Sequence, residues 1–126
     1  FLKMDIEGGE YPWLLSLSDV QLGKFKQIVI ELHDITQNVT DCVLAKKIKC
    51  LKKLSHSHYL IHAHGNNYSH CVDGIPDVIE LTYLNKNLFD AAPDFNTTAL
   101  PIAGLDFPNH PNMPEIRLDF YPFVQR

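Results

Sequence analysis

The amino-acid sequence predicts an α/β fold, and three observations predict it. The run Gln27-Ile28-Val29-Ile30-Glu31-Leu32 is almost continuously apolar, as a central parallel strand buried on both faces must be. Strand-like and helix-like segments alternate around it, the pattern of a sheet with crossover helices. Two more strand-like segments, 58–63 and 77–83, follow with a polar loop between them and no helix.

Residues 1–4 are short and apolar up to Asp5, and read as a buried strand. Gly8 and Gly9 allow a sharp turn after it. Residues 10–17 then read as a short helix, because Pro12 suits a first turn and Glu10 favours the positive helix N-terminus. The segment 19–25 is ambiguous, with Gly23 ending a turn of helix. After the central strand, Thr40 or Asp41 caps a helix running to about Leu54. Leu44, Ile48 and Leu51 recur at i, i+4 and i+7 and predict its apolar face, leaving Lys46, Lys47, Lys49, Lys52 and Lys53 to a solvated one. Gly65, Asn66, Asn67 and Gly74 mark the loop between the last two strands. Beyond Phe89, Pro93, Pro101, Pro108, Pro111, Pro114 and Pro122 predict an extended tail or docking arm without regular elements.

The totals bound the function. A chain of 126 residues, 45% hydrophobic and 21% charged, has the composition of one globular domain. A net charge of −4 provides no field to attract nucleic acid, and no apolar run approaches the roughly 20 residues of a membrane span. The first residue is Phe and no charged-then-apolar leader precedes the strand, so the expectation is a piece of a longer protein without a signal peptide. Cys42, Cys50 and Cys71 are odd in number and carry no framework spacing, which fits unpaired thiols in a reducing compartment. A lumenal protein whose partner cysteine lies elsewhere has the same pattern, so the compartment stays open, with the cytoplasm slightly favoured.

The chemistry-bearing residues gather at predicted strand ends. Asp5, Glu7 and Glu10 follow the first strand, and His33 ends the central one. Neighbouring parallel strands place Asp5 and His33 at one rim, where α/β sheets bind ligands. An imidazole titrating near neutrality is a natural general base there. His56, His58, His62, His64 and His70 cluster in one stretch, and His62 and His64 alternate onto one strand face. With Cys71 or Asp73 they suggest a small zinc module, but no zinc-ligand spacing is matched, so no metal is assigned.

Lys3-Met4-Asp5-Ile6-Glu7-Gly8-Gly9-Glu10, followed by the strand ending Glu31-Leu32-His33, resembles the FkbM-like, methyltransferase-like families. His62-Ala63-His64-Gly65-Asn66-Asn67 and Pro76-Asp77-Val78-Ile79-Glu80-Leu81-Thr82-Tyr83 extend the resemblance, which covers residues 1 to about 107. It implies a Rossmann-like class I sheet whose last two strands form an antiparallel edge hairpin, and S-adenosylmethionine as cofactor. It also implies O-methylation of a small molecule or glycan. Asp5, Glu7, His33 and His64 become the catalytic candidates, with Glu10 and Asn66 as substrate contacts. The glycine-rich cofactor turn is missing, so the resemblance is to the C-terminal half of that domain, residues 1–107, with 108–126 as a proline-rich tail. Such a half-domain is expected to be inactive alone and to self-associate through an uncovered edge strand. The alternative is a non-catalytic binding domain derived from the same fold.

Overall fold

The computed structural model describes residues 1–37 and 40–125. Strand β1 (Leu2–Met4), helices α1 (Glu10–Ser16) and α2 (Asp19–Leu22), and strand β2 (Gln27–Leu32) open the chain. Helix α3 (Asp41–Ser57) leads into β3 (His58–Gly65), a short ribbon of β4 (Cys71–Val72) and β5 (Ile75–Pro76), and β6 (Ile79–Asn85). The four longer strands form one mixed sheet of order β1-β2-β6-β3. β1 and β2 are parallel, whereas β6 is antiparallel to both β2 and β3. The class is therefore mixed α/β, with the predicted antiparallel pair at one edge.

The register sorts the sheet into two faces. Ile28 opposes Tyr83, Ile30 opposes Leu81 and Leu32 opposes Ile79, and all six are buried. Directly paired residues share a face, so this row is one wall of the core, which Leu14, Leu22, Cys50 and Leu54 of the helices join. The alternate residues Glu31, Glu80 and His64 stand opposite one another across three strands, on the other face. β3 carries a bulge between Leu60 and His62.

Two expectations are corrected. Leu44, Ile48 and Leu51 do not form the packed face of α3, for each is about 40% exposed. The face that packs on α1, α2 and β3 carries Lys47, Cys50 and Leu54. Lys47 is buried because its ammonium donates to the backbone carbonyls of Asp34 and Gln37, which cap a charge the apolar pattern cannot accommodate. Lys53 is likewise drawn in, to the carbonyl of Leu17. β1, read as a buried strand, is only half-buried at Leu2 and Met4, and Phe1 is 75% exposed; it lies at the sheet's edge, where the uncovered strand was expected.

The proline-rich segment has almost no regular structure, as expected, but it does not project from the domain. Leu100 and Leu118 form an isolated antiparallel bridge and are buried, with Ile102, Ile116, Phe120 and Phe123 packed beside them. Asn67 fastens the segment, donating to the carbonyls of His110 and Met113 at 3.0 and 3.1 Å and accepting from the amide of His110 at 2.7 Å. Of the predicted 108–126 tail, residue 126 lies outside the described residues. Among the described residues no helix is long and apolar enough to cross a membrane.

Candidate active site

The site is built where β1 and β2 end side by side. Met4 pairs with Ile30, so one step further Asp5 falls beside Glu31, and His33 follows two residues on. The chain then reverses through Glu7 and Gly8, both at positive φ (55° and 94°), which suits glycine and strains Glu7. This turn points Glu7 back at the strand ends. Its carboxylate lies 3.6 Å from His33 Nε2, with Asp5 at 3.8 Å and Glu31 at 3.1 Å.

Helix α1 holds His33 from behind. Glu10 is completely buried, and its Oε1 stands 3.0 Å from His33 Nδ1 while also accepting from the amide of Ile6. The Tyr11 hydroxyl donates to the His33 carbonyl at 2.9 Å. Two adjacent helix residues thus fix both the ring and the backbone of His33. Burial opposes a charged imidazole, but the Glu10 hydrogen bond and the charges of Glu10, Glu31 and Glu7 outweigh it and raise the His33 pKa above its ordinary value. Glu31 is also shifted upward, by burial first and then by the charges of Asp5 and Glu80, against the opposing hydrogen bond from Asn66.

The cleft above these residues has a volume of about 470 Å³ and is open to solvent. Asp5, Glu7, Glu31 and His33 line one side, and Asn66, Tyr68, Glu80 and Asn109 the other. Asn66 Nδ2 reaches Glu31 at 3.4 Å, and Asn109 of the proline-rich segment donates to Glu80 at 2.9 Å. Those contacts hold a carboxylate-rich surface with amide donors at its rim.

Asp5, Glu7, His33 and Asn66 therefore meet in one cleft, and two other expected residues take different places. Glu10, expected at the substrate, has no exposed surface and supports His33 instead. His64 is buried with both ring nitrogens engaged, by Glu80 at 3.1 Å and Glu115 at 3.2 Å. Burial lowers its pKa, and those two carboxylates more than reverse the effect. The histidine stretch makes no common site. His58 contacts Ser57 and the Phe25 carbonyl, and His62 contacts Asp106 at 2.7 Å. Among the described residues one set is spaced to hold a metal ion: Asp5, Glu31 and His33, whose ligand atoms lie within 4.8 Å of one another. Glu31 was legible, since it stands two residues before His33 and shares its strand face. Glu80, Tyr68 and Asn109 carried no local signal.

Comparison of the chain with family models, curated proteins and solved structures finds no match.

Proposed function

We propose that the chain is the acceptor-side half of an S-adenosylmethionine-dependent methyltransferase domain acting on a hydroxyl group of a small molecule or glycan. The observation that carries this reading is the convergence of Asp5, Glu31 and His33 from two adjacent parallel strands, with Glu7 at the mouth of the cleft. Methyl transfer to oxygen needs the hydroxyl held in line and its proton removed. A carboxylate–imidazole cluster beside amide donors supplies both. The sheet supports the same reading: two parallel strands followed by the antiparallel β3–β6 pair at one edge match what the resembled fold implies for its second half.

The cofactor does not fit the residues of this chain. Its adjacent glycines, Gly8 and Gly9, belong to the β1–α1 turn, and a Cβ at Gly9 would sit 2.9 Å from the Ile6 side chain. That turn is closed by Ile6 and is no cradle for a nucleoside, so the site residues here are assigned to the acceptor alone.

Calorimetry and turnover test the reading together. The 126-residue chain should show no saturable S-adenosylmethionine binding, and a form extended at its N-terminus should bind. In that form His33→Ala should lower kcat by roughly 10²-fold with little change in cofactor affinity. Micromolar binding by the short chain, or unchanged turnover in the variant, refutes it. Cofactor-independent binding of glycans without methylation identifies the non-catalytic alternative.

A further inference from the structure

We infer that Asp5, Glu31 and His33 form a binding site for a divalent cation of the Mg²⁺/Mn²⁺ class. The inference starts from the orientation of one ring. Nδ1 of His33 faces the carboxylate of Glu10, which accepts hydrogen bonds and cannot donate when ionised, so Nδ1 carries the hydrogen. Nε2 then faces outward, at the oxygens of Glu31, Glu7 and Asp5. Three carboxylate oxygens within 3.8 Å of one ring nitrogen concentrate negative charge there, and a metal cation competes with a proton on Nε2 for that place. No lysine or arginine lines the cleft to neutralise the charge instead.

A second observation points the same way from beneath. Glu10 is wholly buried behind His33, where its Oε1 holds Nδ1 at 3.0 Å and its Oε2 makes no hydrogen bond. A histidine whose far nitrogen is held by a buried carboxylate is the arrangement that orients imidazoles toward metals. The spacing agrees. Ligands about 2.0–2.2 Å from an ion lie roughly 3.0–3.5 Å apart, and Nε2 stands 3.1 Å from Glu31 Oε1 and 3.8 Å from Asp5 Oδ1. Asp5 is half-exposed and free to close the longer gap. A set of two oxygens and one nitrogen, open to solvent on one side, suits a hard ion that keeps waters.

An ion held by these three side chains would keep water on its cleft side, and an acceptor hydroxyl taking the place of one such water would be made more acidic. Glu7, exposed at the mouth, is the carboxylate left free. This role, though not the occupancy, rests on the methyl-transfer reading.

Manganese(II) chloride added to the 126-residue chain is the test. Paramagnetic broadening should fall on the His33 ring and the Asn66 side-chain amide and spare His56, which is exposed on α3. Electron paramagnetic resonance should count one ion per chain. Asp5→Asn and Glu31→Gln should each weaken it at least about tenfold, and Glu10→Gln by about 10- to 100-fold although Glu10 cannot touch the ion. Broadening that spares His33, or an Nε2 carrying its own proton and indifferent to manganese, overturns the site. Manganese binding without methylation by the extended form sinks the methyl-transfer reading alone. Methylation without manganese binding sinks the cation site alone.

Discussion

Replacing Asp77 by alanine should destabilise the protein by about 3 kcal/mol. Asp77 is 3% exposed, and its carboxylate ties down the segment that leaves β2 immediately after His33. One oxygen accepts from the amide and hydroxyl of Thr36 at 2.8 and 2.5 Å, and the other from Gln37 Nε2 at 2.7 Å. Hydrogen bonds to a charged acceptor are worth about 1.5–3 kcal/mol each. Gln37 is exposed and finds water when the carboxylate is gone, so most of the cost comes from the two Thr36 donors, which share one oxygen. With an unfolding entropy of roughly 2.1 cal/mol/K per residue, 3 kcal/mol lowers Tm by about 11 °C in a chain of 126 residues. The effect depends on pH with a defined sign. Burial alone raises the Asp77 pKa, but the hydrogen bonds from Thr36 and Gln37 and the nearby His70 hold it below the ordinary carboxylate value. The folded protein therefore binds this proton less readily than the unfolded chain. Its stabilisation is complete above about pH 4 and is lost as pH falls through the depressed native value. Urea unfolding at several pH values measures this. The gap between wild type and Asp77→Ala should be level from pH 7 to about pH 4.5 and narrow below. Asp77→Asn, which keeps one acceptor oxygen, should cost less. A gap under about 1 kcal/mol at pH 7, or one that widens in acid, refutes the reasoning.

Two further outcomes concern the proline-rich segment and the sheet edge. The raised pKa of His64, set between Glu80 and Glu115, gives stability that is full below about pH 6.5 and lost as pH rises through the raised value. His64→Gln should therefore cost most near pH 6 and least near pH 9 by urea unfolding, and the opposite trend excludes the ion pairs. The open side of β1 presents unpaired backbone groups with Lys3 as its single charged residue, so the chain should self-associate at roughly tens of micromolar. Light scattering after size-exclusion chromatography decides this, and a stable monomer contradicts it.

The parts of the fold governed by local pattern were legible. Gln27–Leu32 is a strand with the predicted bounds, although only alternate residues are fully buried and its β6 neighbour is antiparallel. Thr40, one of the two residues read as caps, stands at the N-cap of α3 without a side-chain capping bond. The packed face of α3 was misread because periodicity counts carbons and cannot see that Lys47 has two carbonyls waiting for it. The strand-end rule brought Asp5, Glu7 and His33 together, whereas Glu10 was drawn to the substrate although the turn at Gly8 folds it under His33. Glu80 and Asn109 meet only through the long return of the C-terminal segment, and no local signal encodes such a meeting.

The wall that Asn109 adds to the cleft has a consequence for the order in which this protein becomes competent. Asp5 and Asn109 face one cavity from positions more than a hundred residues apart in the chain. Contacts of that separation carry a high loop-closure cost and are made late in folding. During synthesis, β1 and β2 can pair and the imidazole can be seated on α1 well before residue 109 exists. The cleft is then still without Asn109 and the hydrogen bond that it gives Glu80. Only when the segment carrying Asn109 returns past Asn67 is that part of the wall in place, so the cleft takes its final shape after its histidine has already been seated.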